Sequence, residues 1–197
     1  MVREHYSPLP QSRLAADAGI HSPDPKMSVR VRADSPAVEV MTDLRRVSAA
    51  TIGADTPIDQ ANQAMIHRGV RSLIVTDGQR TLGIMTATDV LGEKPMQVVR
   101  NRGIRHAEIV VRDIMTPADR LDVIELNDVL HAEVGHVAAT LKLSGRQHAL
   151  VVDADEAGRQ MIRGIFSATQ IARQLGIVLH TPEIARTFAE IGAAIGL

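Results

Sequence analysis

Cysteine and tryptophan are missing from this 197-residue sequence, and aromatic residues make up only 2% of it. Without cysteine, the chain has no disulfide, no thiolate ligand for zinc and no thiol nucleophile. With so few aromatics, the core must be built from valine, isoleucine, leucine, alanine and methionine, and the 45% of apolar residues is enough for one. The sequence therefore excludes disulfide scaffolds and thiol enzymes, and it predicts a folded chain with an aliphatic core.

An excess of charge is also missing, because 22 lysines and arginines stand against 23 aspartates and glutamates. Nucleic-acid-binding domains usually carry a basic excess, so we expect no nucleic-acid partner. No stretch approaches the about 18 apolar residues of a membrane span. The N-terminal MVREHYSPLP lacks the apolar run of a signal peptide. We therefore expect a soluble cytoplasmic protein with no membrane partner.

Two copies of one pattern follow each other along the chain. VEVMTD (38–43) is echoed by VRDIMT (111–116), and GIMTATD (83–89) is echoed by GIFSATQ (164–170). Between these segments, each copy carries a short β-type run, an amphipathic helical segment and two further β-type runs. The same order of segments in both copies predicts a repeated structural unit.

Local signals mark the helices and turns of both copies. Thr56 and Pro57 begin the first helix as cap and first residue. In the second copy, Asn127 caps one continuous helix that runs to Gly145. A linking helix begins at Pro95. The predicted strands cover 50–52, 71–76 and 81–86 in the first copy, and 121–126, 148–153 and 161–166 in the second.

A β-α-β-β-α unit that opens with the VEVMTD or VRDIMT segment and closes with GIMTATD or GIFSATQ resembles a CBS domain. Two such units in tandem resemble a CBS pair, or Bateman module, over roughly residues 38–176. The resemblance implies an α/β fold with two repeats related by a pseudo-two-fold axis, adenosine-containing ligands in the clefts between them, and homodimers. The expected divisions are an irregular, loosely attached N-terminal arm at 1–37, a first repeat at 38–92, a linker at 93–110, a second repeat at 111–176 and a C-terminal strand and helix at 177–197.

The resemblance also implies which residues bind the nucleotide, here AMP, ADP or ATP, with no further cofactor. The first site is expected to contain Thr86, Asp89, Gly83, Ile84, Arg71, Thr51 and Ile52. A weaker second site is expected to contain Ser167, Gln170, Ile165, His148 and Val123. Arg71 and His148 are matched as equivalent positions whose side chains reach ligand phosphates. For Arg71 the alternative is a solvated arginine at a strand edge, and for His148, Ile84, Ile165 and the residues of the opening strands it is core packing.

Thr86 and Asp89 have a chemical reason to bind a sugar. An ionised aspartate accepts hydrogen bonds at two oxygens, as a vicinal diol requires, and residues three apart on a helix share a face. The alternative is helix capping, because Ser/Thr-x-x-Glu/Gln is a capping box that Ser167 and Gln170 satisfy and Thr86 and Asp89 approximate. Because Gln170 is neutral, we expect the second site to bind nucleotide more weakly than the first.

The remaining motifs favour no chemistry. The two histidines of HAEVGH (131–136) are five residues apart, about 140° around a helix, so we expect no metal site there. We find no catalytic motif and expect a regulatory module that signals to an unknown effector protein rather than an enzyme. A structural dimerisation module without tight ligand binding is the alternative. The apolar stripe of the last helix favours packing against a partner subunit, with folding back onto its own chain as the alternative.

Overall fold

The computed structural model describes residues 31–78, 80–177 and 184–195. The strands are β1 (Thr42–Asp43), β2 (Thr51–Gly53), β3 (Ser72–Asp77), β4 (Arg80–Thr86), β5 (Thr116–Pro117), β6 (Val123–Glu125), β7 (His148–Ala154) and β8 (Gln160–Ser167). The helices are α1 (Ile58–Arg68), α2 (Ala87–Leu91), α3 (Lys94–Arg102), α4 (Val111–Ile114), α5 (Leu126–Leu130), α6 (Val134–Ser144), α7 (Ala168–Gln174) and α8 (Ile184–Ile195). The predicted α/β class and the paired strands of both copies are confirmed.

Two four-stranded sheets of the same topology form the centre of the fold. Their strand orders are β2-β3-β4-β5 and β6-β7-β8-β1. In each sheet the first two strands are parallel, and the third and fourth are antiparallel to their neighbours. The repetition seen in the sequence is therefore a repetition of sheet topology.

Each sheet takes its edge strand from the other half of the chain. Thr42 in β1 pairs with Ile165 of the second half, and Thr116 in β5 pairs with Ile84 of the first. Arg163 fastens β1 by donating from Nε and Nη2 to the two carboxylate oxygens of Asp43, at 2.9 Å each. These hydrogen bonds hold the pKa of Asp43 well below its usual range. The two halves are thus joined by exchanged strands.

The helices cover one face of each sheet with an aliphatic core. In α1, the buried side chains Ile58, Ala61 and Met65 recur at helical spacing. In α6, Val134, Val137, Ala138 and Leu141 are buried in the same way. Both helices end at a glycine with positive φ, the left-handed conformation that suits a residue without a Cβ.

The single helix predicted from Asn127 to Gly145 is wrong, because the chain forms α5 and α6 with a break between them. The break is where residues of the N-terminal arm pair with the backbone. Val134 N–H donates to the carbonyl of Ser35, and Gly135 N–H donates to the carbonyl of Ala33, at 2.9 Å each. These amides therefore have their partners outside the helix, and α6 begins anew at this point.

The same contacts correct the prediction of a loose arm for its last residues. Val31 is buried and donates its N–H to the carbonyl of Gln174 at 3.2 Å, and Ala37 is buried against the second core. Residues 1–30 of the predicted arm lie outside the described part of the chain. The segment from 31 to 37 is an integrated part of the second half.

The last helix packs on its own chain. The favoured prediction, that it packs against a partner subunit, is therefore wrong for the side chains of α8 that the structure describes. Phe188 and Ile191 of α8 are buried in the core formed with α6 and α7. The predicted linking helix is confirmed as α3, with Pro95 in its first turn. Within the described ranges, no helix has the length and apolar character to cross a membrane.

Candidate functional site

A cavity of 220 Å³ lies where the two halves meet. The first half and β5 line it with Ile84, Thr86, Thr88, Asp89 and Thr116. The second half lines it with Leu121, Asp122, Gly145, Arg146, Gln147, His148 and Leu150. One wall therefore comes from the end of β4 and the start of α2, and the other from the start of β7 and the residues before it. An occupant of this cavity would contact both halves of the chain.

Thr86 and Asp89 are fixed in the cavity wall by a complete capping box. Asp89 Oδ2 accepts from the backbone N–H and the side-chain hydroxyl of Thr86, at 2.7 Å each. In return, Thr86 Oγ1 accepts from the Asp89 backbone N–H at 3.3 Å. This arrangement satisfies free donors at the first turn of α2 and holds the Asp89 side chain, only 10% exposed, in a fixed orientation.

Lys94 takes the other oxygen of the same carboxylate. Its Nζ lies 2.5 Å from Asp89 Oδ1 and also donates to the backbone carbonyl of Ile114 at 3.0 Å. Lys94 was not predicted from the sequence, because a lysine five residues after an aspartate carries no recognised motif. The cavity thus contains a carboxylate whose charge is already balanced by an ammonium group.

His148 is neutral at the opposite wall. Burial, and secondarily the charge of Arg71, lower the pKa of His148 from 6.5 to about 4, and nearby Asp89 opposes this shift. The Nδ1 atom is buried and has no hydrogen-bond partner within the described part of the chain. At neutral pH, this wall therefore presents an uncharged imidazole.

Arg146 brings a permanent positive charge to the rim of the cavity. Its Nη2 donates to the carbonyl of Arg120 at 2.8 Å and lies 3.6 Å from a carboxylate oxygen of Asp122. Asp122 is 92% exposed, so water competes with this ion pair. An internal comparison gives no signal for Arg146, because the equivalent residue of the first copy is the apolar Val70, which follows Gly69 at the end of α1.

The equivalence predicted between Arg71 and His148 is wrong by one residue. His148 pairs with Ser167 as Ser72 pairs with Thr86, so His148 corresponds to Ser72. The carbonyl of Arg71 accepts from Ala87 N–H, and that of Gln147 accepts from Ala168 N–H, at 2.9 Å each. Arg71 therefore corresponds to Gln147.

In the second copy the predicted capping box is absent. Ser167 makes no side-chain capping hydrogen bond to α7. Instead, Gln170 Oε1 accepts from the hydroxyl of Thr42 at 3.1 Å, because β1 passes alongside β8. The prediction that Ser167 and Gln170 satisfy the box better than Thr86 and Asp89 is therefore wrong.

Gly83 has a structural reason within the protein itself. Gly83 lies opposite Pro117, where β5 pairs with β4. A Cβ at this position would overlap the carbonyl oxygen of Thr116 and lie 3.0 Å from Pro117 Cα. Gly164 is the equivalent position below β1, where a Cβ would lie 3.0 Å from the carbonyl oxygen of Thr42. Both glycines allow the exchanged strands to come close.

The structure distributes the predicted site residues differently from the sequence. Of the residues predicted for the first site, Ile84, Thr86 and Asp89 line the cavity. They meet His148, which was predicted for the second site. The cavity lining does not include the remaining first-site residues Gly83, Arg71, Thr51 and Ile52, nor the second-site residues Ser167, Gln170, Ile165 and Val123. Each predicted site was assigned to a single repeat, whereas the cavity is lined by residues of both repeats.

A second cavity of 380 Å³ adjoins the first, and both are lined by Leu121 and Leu150. Val123 lines this second cavity, together with the exposed side chain of Arg80. Small-molecule sites usually measure about 300–1,000 Å³, so the first cavity alone is small for a nucleotide. The shared leucines make the two cavities neighbouring parts of one cleft.

The histidines of the HAEVGH segment have local roles. His131 Nδ1 lies 2.7 Å from the carbonyl of Asn127, and His136 Nδ1 accepts from the Glu133 N–H at 3.1 Å, next to the start of α6. Across the described residues, no three histidine, aspartate or glutamate side chains form a group that could hold a metal ion.

The sequence and the structure both have relatives. Residues 29–95 match the CBS domain family. Inosine-5'-monophosphate dehydrogenase from Thermoplasma acidophilum is 27% identical over 110 residues, which are 56% of this chain but only 21% of that enzyme's length. An uncharacterized conserved protein from Pyrococcus horikoshii has a TM-score of 0.51 at 22% identity, over 76% of this chain and 98% of that one. CBSX2 from Arabidopsis thaliana in complex with AMP has a TM-score of 0.49 at 20% identity, over 71% and 94%.

The family match covers the first copy of the repeat, and the second copy repeats its sheet topology. The fold is therefore that of two CBS domains in tandem.

Proposed function

Because this chain is a CBS domain protein, we propose that it is a regulatory module that binds an adenosine-containing ligand, AMP, ADP or ATP, between its two repeats. The module catalyses no reaction itself and acts in the cytoplasm through an effector protein. The observation that carries the proposal is the cleft between the halves, in which one wall contains the Asp89 carboxylate and the other contains His148 and Arg146.

The carboxylate of Asp89 suits the ribose. Thr86 already supplies two donors to Oδ2, whereas Oδ1 has one partner, Lys94. A carboxylate offers about four acceptor positions, so Oδ1 can accept one hydroxyl of a vicinal diol beside Lys94, and the second hydroxyl needs the position that Lys94 holds. Hydrogen bonds to an ionised acceptor contribute about 1.5–3 kcal/mol, more than those to a neutral one.

The other walls suit the remaining parts of a nucleotide. Ile84, Leu121 and Leu150 form an aliphatic surface on which a flat base can pack. The Arg146 guanidinium has five N–H donors in a planar fork that matches phosphate geometry, and it contacts a backbone carbonyl and an exposed carboxylate. Sugar, base and phosphate each have a chemically matched group.

Ligand binding would alter the protein because the walls belong to different halves. A ligand shifts a conformational equilibrium by its difference in affinity for the two states. A nucleotide that contacts Asp89 on one side and Arg146 on the other stabilises the arrangement that brings these residues together. The effector protein would recognise that arrangement.

Titration calorimetry with AMP, ADP and ATP tests the proposal, with S-adenosylmethionine as a further adenosine compound. We expect at least one to bind, and Asp89→Asn to weaken its binding by about tenfold, since about 1.4 kcal/mol separates charged from neutral acceptors. Asp59→Asn is the matched control, because Asp59 is exposed on α1 and away from the cleft. Binding by none of the four compounds, or equal binding by Asp89→Asn, would contradict the proposal.

The two copies should differ as ligand sites. In the second copy the amide oxygen of Gln170 is bonded to Thr42 and carries no full charge. We therefore expect one tight site per chain, and a titration that shows two equal sites would exclude this difference.

An exposed helix face favours a second proposal, that the chain forms homodimers through its first repeat. Leu91 of α2 is 72% exposed, whereas its equivalent Ala172 in α7 is fully buried in the core that includes α8. Ile66 of the neighbouring α1 is also 64% exposed. Sedimentation equilibrium measures the mass of the particle, and a monomer at every concentration would contradict dimerisation.

A further inference from the structure

Lys94 links three helices at the edge of the cleft. As the first residue of α3, it donates from Nζ to Asp89 in α2 and to the carbonyl of Ile114 at the end of α4. Carbonyls of the last helical turn have no partner within their helix, so the ammonium group satisfies one of them. A single side chain therefore fastens the start of α3 to both neighbouring helices.

The contact between Lys94 and Asp89 holds one of the two acceptor positions of Oδ1, and a ligand diol would need both of them. Oδ2 already has two donors from Thr86, which also complete the cap of α2. The Lys94 side chain is 44% exposed, so its ammonium group can move into water without being left buried and unpaired. Of the three donors on Asp89, Lys94 is the one that can leave at the lowest cost.

We propose, on the basis of the proposed function, that Lys94 is a displaceable contact that reports ligand binding. A ligand hydroxyl at Asp89 Oδ1 takes the place of the ammonium group, and Lys94 then releases the start of α3 from α2 and α4. Occupancy of the cleft thereby becomes a change in how the helix between the two repeats is held.

The opposite end of α3 supplies a matched control. Arg102 donates from Nη1 to Asp113 Oδ1 at 2.5 Å, so it also fastens α3 to the α4 segment through an ion pair. Arg102 does not line the cavity and does not contact Asp89. Arg102→Gln therefore removes a comparable tie between the same helices without changing the ligand's acceptor.

Calorimetry and amide hydrogen exchange on the full chain test the inference with AMP, ADP and ATP. Lys94→Gln removes the competing cation, so the dissociation constant of a bound nucleotide should fall by up to about fivefold, the range of a partly exposed ion pair. Arg102→Gln should leave that constant unchanged. In the wild-type chain, nucleotide should speed exchange at Gln97, whose N–H donates to the carbonyl of Glu93, and at the amides that follow it in α3. In Lys94→Gln, exchange at these amides should be fast without nucleotide.

Each outcome separates this inference from the proposed function. If the wild-type chain binds nucleotide but Lys94→Gln binds it equally or more weakly, Lys94 positions Asp89 instead of competing for it, and the inference is wrong. Unchanged exchange in α3 of the wild-type chain would overturn it as well, without any variant. Binding of none of the nucleotides by the wild-type chain would remove the proposed function, and the inference with it.

Discussion

Replacing Gly83 by alanine would put a methyl group where β4 pairs with the exchanged strand β5. The new Cβ would overlap the carbonyl oxygen of Thr116 and lie 3.0 Å from Pro117 Cα. Both are backbone atoms, and Thr116 is paired with Ile84 in the ladder. The overlap can therefore be relieved only if β5 moves away from β4, which breaks the strand exchange on one side.

Gly164→Ala is the matched substitution in the other sheet. Here the Cβ would lie 2.6 Å from Met41 Sδ and 2.8 Å from Met41 Cγ, with the carbonyl oxygen of Thr42 at 3.0 Å. Methionine is unbranched and adapts readily to a changed space. Most of this strain can therefore be relieved by a side chain, while the strand stays paired.

The loss in the free energy of unfolding depends on whether a strand or a side chain must move to make room for the methyl group. Added methyl groups in packed sites cost about 1–3 kcal/mol, occasionally more. We expect Gly83→Ala to lower the free energy of unfolding by about 3 kcal/mol or more, and Gly164→Ala by about 1 kcal/mol. A glycine retained only to let a ligand approach would show no such cost in ligand-free protein.

Urea unfolding followed by circular dichroism measures both losses. The midpoints should shift in that order while the slopes stay equal, because a changed slope would indicate a different extent of unfolding. Equal losses for the two variants, or a loss below about 1 kcal/mol for Gly83→Ala, would refute the steric argument.

Two further predictions concern the cavity wall and the exposed helix face. Burial and the charge of Arg71 lower the pKa of His148 to about 4. As the pH falls below 6.5, His148 therefore binds a proton in the unfolded chain but stays neutral in the folded chain. The free energy of unfolding should therefore fall by about 2 kcal/mol from about pH 7 to pH 5 because of this residue. Urea titrations should show that His148→Gln removes this loss and that the control His67→Gln, at an exposed position, retains it. If dimers form through the first repeat, Leu91→Glu should yield monomers in sedimentation equilibrium while Leu143→Glu, also at an exposed position, does not, and the opposite result would move the interface elsewhere.

The sequence pattern predicted most helices and strands, because their turns and ends depend on residues within the same short segment. The Asp77-Gly78 turn between two apolar runs predicted the β3–β4 hairpin, and Gly78 has the positive φ that such a turn requires. Helix ends at Gly69 and Gly145 likewise depend on their own residues. These signals need no information about the rest of the chain.

The one-residue shift between Arg71 and His148 is a local alignment error, but the other errors lie where distant segments meet. The break between α5 and α6 depends on carbonyl groups of residues 33–35, about a hundred positions away in the chain. The pairing of β1 with β8 and of β5 with β4 was not predicted, because Gly83 and Gly164 indicate a close approach without identifying the segment that approaches. The cavity has walls from both halves. Assigning site residues to each repeat separately therefore identified side chains such as Asp89 and His148 but did not predict that they line the same cavity.

The two closing motifs show how a shared pattern acquires two uses. Thr42 and Thr116 are equivalent, since they pair with Ile165 and Ile84 at the same place in their sheets. In the second copy, Thr42 of β1 donates to the neutral Gln170 and links this strand to α7. In the first, Thr116 lines the cavity, and the acidic residue at the position of Gln170 is paired with Lys94. The carboxylate of Asp89 can pair with a cation, whereas the amide of Gln170 is satisfied by a hydroxyl of the chain itself. If a ligand displaces Lys94 as proposed, the difference between aspartate and glutamine makes one closing motif a ligand-responsive site and leaves the other a structural contact.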